Sequence, residues 1–339
     1  MSQVLELDYN DAALVAFPPD GSRATFLHAR MIEHLAQSVE EIVQGCSPHI
    51  EFDESVARLP QRIRASCVAP EVYCIYFDLL KAVRRDDLDI SARLLGEINS
   101  RLDEPLPSFY SRWGALTEST ARRYLTYVNV DRTTQINFKA LSAAKFDNTR
   151  RVANDAFEVL DRVAPEISAE TRSLVAEIVF VSSLPNISFG GATSFFCWGA
   201  LFLNADAYGG LVKMIEGLSH ESAHAHLFAL SLGDSFVDNP DEELRPSPLR
   251  ADPRPLDGTF HATYVSARMH YALSHVIESG VLSRSEANEA RKALAASRTA
   301  FSDGLKTLSD YASVTALGRQ VMDAARSYMV EQAGVQLDL

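Results

Sequence analysis

Six of the nine histidines lie between His220 and His275, and the first two belong to the run His220-Glu221-Ser222-Ala223-His224. On a helix, residues four apart stack on one face about 5–6 Å from each other, so both imidazoles can reach one divalent ion. Glu221 is turned by about 100° from His220 and stays beside such an ion without having to bind it. This HExxH pattern points to a metal enzyme.

Two histidines leave a metal site short of a ligand. If 258–279 is helical, His261 falls in its first turn. His270 then points to the opposite side, and His275 returns to the same side about 21 Å further along the axis. Only His261 combines the right face with a position next to the loop that follows the HExxH helix. His226 is rotated by about 200° from His224 and reads as a core or surface histidine. Glu242 and Glu243 are the rival third ligands, as a zinc peptidase of the His-His-Glu type would need.

The HExxH run, followed by Ser247-Pro-Leu-Arg-Ala-Asp-Pro-Arg-Pro-Leu-Asp-Gly-Thr-Phe-His261, resembles the HExxH-motif proteins of ribosomal peptide modification. These are the 2-oxoglutarate-dependent HExxH peptide β-hydroxylases. The resemblance covers about 40 residues well, the upstream glycine and aromatic segment loosely and the N-terminal helices scarcely at all. It implies an Fe(II) enzyme that uses 2-oxoglutarate and O₂ to hydroxylate a β-carbon in a precursor peptide. His220, His224 and His261 would then be the metal ligands, and the dianionic co-substrate would offset the iron charge that a carboxylate ligand usually balances. Glu221 would orient a ligand or water. An arginine must take the distal carboxylate of 2-oxoglutarate as a bidentate pair. Arg254 is the first candidate, followed by Arg268, seven residues after His261 on the same helical face, and Arg250. The alternative is a zinc metallopeptidase in which Glu221 takes a proton from metal-bound water.

The elements that must carry these residues follow from periodicity. Apolar residues at three- and four-residue spacing predict helices over 23–44, 71–83, 86–102, 117–128 and 147–163, punctuated by prolines. The segment 175–183 is β-branched and apolar, and 188–204 interleaves aromatics with glycines, so the two read as a small antiparallel sheet. Helices follow over 207–232 and 258–279, separated by a polar, proline-rich connection (233–256), with two more over 285–305 and 311–331. The expected fold is mainly α with a small antiparallel β-sheet (α+β). A helical N-terminal part (1–165) would pack on a catalytic part (166–339) that holds the HExxH helix and the C-terminal helices.

Composition narrows the partners. A net charge of −13 over 339 residues, with no basic stripe, argues against nucleic acid. No apolar run approaches the ~20 residues of a membrane span, and residues 1–6 lack the basic and apolar regions of a signal peptide, so a cytoplasmic protein is expected. The four cysteines form no C-x-x-C pair, and Cys67 and Cys74 read as small core residues.

Overall fold

A computed structural model describes residues 13–47, 49–50, 52–130, 136–184 and 189–334. The first helix, α1 (Gly21–Cys46), is capped by Asp20, whose carboxylate accepts from the backbone N–H groups of Ser22 and Arg23. Two short helices follow, α2 (Glu54–Ala57) and α3 (Leu59–Ala65). Then come α4 (Pro70–Val83), opened by a proline whose missing N–H costs nothing at a helix start, and α5 (Leu88–Arg101). Strand β1 (Tyr110–Arg112), α6 (Glu118–Val128), β2 (Phe138–Lys139), α7 (Ala143–Val163) and α8 (Pro165–Leu174) lead into the main strand, β3 (Glu177–Ser183). Next in the chain are β4 (Gly191–Thr193), β5 (Ala200–Asn204), α9 (Leu211–Ser231), β6 (Leu244–Ser247), β7 (Arg250–Pro255) and α10 (Leu256–Glu278). Helices α11 (Arg284–Tyr311) and α12 (Ala316–Glu331) complete the fold, α11 starting in a capping box between Ser283 and Glu286. The chain is thus mainly helical with a small sheet, as the periodicity indicates.

The sheet is mixed rather than purely antiparallel. Its order is β1-β3-β5-β4, with β1, β3 and β5 parallel, β4 antiparallel on the β5 edge, and β2 antiparallel to the end of β3. The reason lies in β3, which is apolar on both faces. Ile178 and Phe180 join Leu201, Val152, Leu160 and Ile215 in one cluster, while Val179 and Val181 join Phe202, Tyr124 and Tyr127 in another. A strand covered on both faces suits parallel pairing, which needs crossover helices on the faces.

The connection 233–256 also differs from the expected open loop, because it contains the β6–β7 hairpin. Cys74 is buried, but Cys67 is exposed in the link between α3 and α4. One apolar cluster runs across residue 165, joining Leu27, Leu35 and Leu79 to Leu227, Phe260 and Phe301, so the two parts share a core. No described helix is long and apolar enough to cross a membrane. Residues 1–6 lie outside the described residues.

Candidate metal centre

Helix α9 carries the HExxH run against the edge strand β4, and glycines make that approach possible. A Cβ on Gly191 would land on the Glu221 carboxylate, with Cδ at 2.8 Å and Cγ at 2.9 Å. One turn before His220, a Cβ on Gly217 would strike the Tyr208 ring at 2.7 Å. Strand, tyrosine and helix therefore meet backbone to side chain with no room for another carbon. At its far end α9 stops at Leu232 and Gly233, both at positive φ, and the chain turns back toward α10.

The three histidines form one cluster. His220 Nε2 and His224 Nε2 stand 3.2 Å apart. Two ligands about 2.0–2.1 Å from one ion are separated by about that distance, so the spacing suits a shared ion. His261, from the first turns of α10, brings its Nδ1 to within 3.1 Å of His224 Nδ1. It thus meets the ring nitrogen of His224 opposite the one that faces His220. Among the described residues, no three His, Cys, Asp or Glu side chains converge on a single point as the rings stand. Neutral imidazoles are nevertheless the donor type that a divalent ion of borderline softness takes. His220, His224 and His261 are the residues that would hold it.

The cluster is walled by rings. Phe228, four residues after His224, stacks on that imidazole at 26° and lies 5.1 Å from the His261 ring, while Phe236 meets His261 edge-on at 5.7 Å. Burial in this wall pushes the His261 imidazole below its ordinary pKa, with Asp257 opposing the shift. Asp257 lies one helical turn from His261, its Oδ2 3.8 Å from Nε2. Its Oδ1 accepts from Ser235 Oγ and from the Phe236 N–H, both at 2.8 Å.

Glu221 is almost fully buried. Its Oε2 accepts a 2.6 Å hydrogen bond from Thr193 Oγ1 on β4, and its Oε1 is 3.9 Å from His220 Nε2. It is positioned beside the cluster and anchored away from it.

The three candidate arginines part company. Arg254 on β7 is buried at the base of α10, paired with the exposed Asp252 at 3.0 Å, and its Cβ lies 3.8 Å from the position a Cβ on Gly258 would take. Arg268 is drawn elsewhere, donating at 2.7 Å to the Phe17 carbonyl and forming a buried ion pair with Glu170. The Arg250 side chain lies outside the described residues. His226 belongs to the same buried group as Arg268, with Nδ1 3.6 Å from Glu170 Oε2 and its ring parallel to Tyr264; burial drives its pKa down to about 3. His270 is packed between Arg298 and Tyr328, and His275 bonds the Tyr271 carbonyl, so neither joins the cluster.

Of the rival third ligands, Glu243 accepts from Arg245 at 2.7 Å and from Asn239 at 2.8 Å, and Glu242 is exposed on a turn. Sequence reasoning missed Asp257, Thr193 and Phe228. Helical spacing could have found two of them, because Asp257 and Phe228 stand four residues from His261 and His224; Thr193 gave no such signal. Compared with known protein families and with curated proteins, the chain matches none.

Proposed function

We propose that the chain is an Fe(II)- and 2-oxoglutarate-dependent oxygenase that hydroxylates the β-carbon of a residue in a ribosomally made precursor peptide. The observation that carries this reading is the identity of the residue that joins the HExxH pair. It is His261, 3.1 Å from His224, while Glu243 is committed to Arg245 and Asn239. An all-imidazole set brings no negative charge to the ion and leaves that to a dianionic co-substrate, whereas a zinc peptidase of the His-His-Glu type wants a carboxylate here.

Iron and 2-oxoglutarate, when bound, would supply the activation of O₂: one oxygen atom would enter the C–H bond and the other would go into succinate as 2-oxoglutarate loses CO₂. The chain's residues do the rest. His220, His224 and His261 would hold the ion, and the rings of Phe228 and Phe236 pack against His261 and shield it from water. Glu221, tied to Thr193, braces the helix face next to His220 and has no water to deprotonate. Arg254 is assigned the distal carboxylate, for which a buried guanidinium at the base of the His261 helix is suited. The four unbridged cysteines agree with work in the reducing cytoplasm.

The test is incubation with a precursor peptide encoded beside this protein, with Fe(II), 2-oxoglutarate and ascorbate. A gain of one oxygen atom in the peptide with stoichiometric succinate is expected. Peptide cleavage that needs zinc and releases no succinate would instead establish the peptidase.

A further inference from the structure

We propose that the chain carries a peptide-recognition site separate from the histidine cluster. It is a box of three tyrosines between α10 and α12, rimmed by two buried arginines, and it takes an apolar peptide segment in which phenylalanine is followed by proline. The occupant in this structure is the chain's own residues 13–19, which fill the box as a displaceable ligand.

Residues 13–19 run as turns and irregular chain ahead of α1, with Ala13 and Pro18 exposed and Leu14, Phe17 and Pro19 buried. Phe17 is the anchor. Its ring stacks on Tyr328 of α12 at 4.6 Å and 22°, and it meets Tyr264 and Tyr271 of α10 edge-on at 5.8 and 6.5 Å. One aromatic ring filling a pocket is how many bound peptides are held. Irregular backbone has no ladder of its own, so its carbonyls need donors from outside. Arg268 of α10 donates to the Phe17 carbonyl at 2.7 Å, and Arg23 of α1 donates to the carbonyls of Ala13, at 3.2 Å, and Pro18. Bonds to the main chain hold any segment laid there, while the box selects phenylalanine. Proline at the next position restricts that phenylalanine to extended backbone before it binds.

The box is held by contacts that residues 13–19 do not make. The Tyr328 hydroxyl lies 2.9 Å from His270 Nδ1, and His270 Nε2 accepts from Arg298 at 3.0 Å. Arg268 is paired with Glu170, which also faces Arg23 at 3.8 Å. Helix α1 keeps its own start: Asp20 accepts from the Ser22 and Arg23 N–H groups at 2.7 and 3.0 Å, and a Cβ on Gly21 would lie 2.8 Å from the Ala169 Cβ of α8. Release of the segment therefore stops at Asp20 and leaves the box and its two guanidiniums standing. A pocket already formed, with polar donors at its rim, admits a second peptide of the same chemistry. Tethering gives the resident segment an effective concentration on the order of 1 mM, which a free peptide must exceed to displace it.

Phe17→Ala in the full chain removes the resident anchor. A fluorescein-labelled synthetic peptide of residues 13–20 should bind this variant at least tenfold more tightly than it binds the wild type, by fluorescence anisotropy. The same peptide with alanine in place of phenylalanine should bind neither. A second measurement keeps the native side chain, with fluorophenylalanine placed at position 17 of the otherwise unchanged chain. Unlabelled peptide at about 10 mM, above the effective concentration of the tether, should move its ¹⁹F resonance to the position of a solvent-exposed ring. No binding to folded Phe17→Ala, or equal binding of the alanine peptide, overturns the proposal. If that variant does not fold, a ¹⁹F resonance unmoved by the peptide overturns it and makes residues 13–19 a fixed part of the core.

Discussion

Replacing Arg268 by methionine should destabilise the fold and leave the dependence on 2-oxoglutarate untouched. The guanidinium lies in a cluster in which Glu170 is almost completely buried and faces Arg268, Arg23 at 3.8 Å and His226 Nδ1 at 3.6 Å. Breaking a buried ion pair by removing one partner costs about 3–5 kcal/mol, because the other charge stays behind in a poor solvent. Here Arg23 remains to face Glu170, so the lower end, about 3 kcal/mol, is expected, including the bond lost to the Phe17 carbonyl. With an unfolding entropy of about 2.1 cal/mol/K per residue, a cooperative 339-residue unit would then melt about 4 °C lower. Scanning calorimetry measures the first quantity and succinate release against 2-oxoglutarate concentration the second. Adding Glu170→Gln to the variant should recover part of the loss, since the two sites are coupled. An unchanged melting temperature with a tenfold weaker 2-oxoglutarate dependence would refute this reasoning and make Arg268 the co-substrate's partner.

Arg254→Met should raise the 2-oxoglutarate requirement by at least an order of magnitude with metal content unchanged, because losing a charged partner from a desolvated site costs about 2–5 kcal/mol. Metal analysis beside the same succinate assay checks it. His261→Ala should remove most bound metal while His226→Ala leaves it in place, since only the first touches His224; metal content by mass spectrometry of the dialysed variants is the measurement. Glu221→Gln can keep the hydrogen bond to Thr193 and should hold the loss of turnover to about 10–100-fold, whereas a peptidase general base would cost about 10²–10⁴-fold or more. Abolished turnover with the metal site intact would count against the oxygenase. Burial, with Arg298 beside it, lowers the His270 pKa from 6.5 to about 4. The neutral ring is therefore favoured in the fold, so its contribution is complete above about pH 6.5 and drains as pH falls toward 4. At about 1.4 kcal/mol per unit the total is on the order of 3 kcal/mol. Denaturant melts of wild type and His270→Gln between pH 7 and 4 should show the variant's stability falling less steeply.

The long helices were legible because their signal is local. An apolar residue every three or four positions exposes a buried face whatever that face meets, so α1, α4, α9 and α10 begin and end within a few residues of where periodicity puts them. Strand pairing is not local. The apolar run 175–183 announces a buried strand, but that its partner 200–204 lies parallel depends on helices covering both faces. The β6–β7 hairpin was masked by its prolines, which argue against strands in a sheet interior yet are tolerated in a two-stranded ribbon with open edges.

The arginines show where helical reasoning stops. Arg268 does share a helical face with His261, but two turns separate them by about 10.5 Å along the axis. At that height the neighbours come from elsewhere in the chain: Phe17 ahead of α1 and Glu170 on α8, 251 and 98 residues away. Phase identifies a side chain's direction and leaves its partner to long-range packing. His261 was found by the same argument because its partner, His224, lies on the neighbouring helix at the end where the connecting segment returns. What phase could not supply is which nitrogen of each ring meets which. That detail depends on the packing at the foot of α10, where Asp257, one turn from His261, accepts from Ser235 and Phe236 in the turn that closes α9 back onto α10.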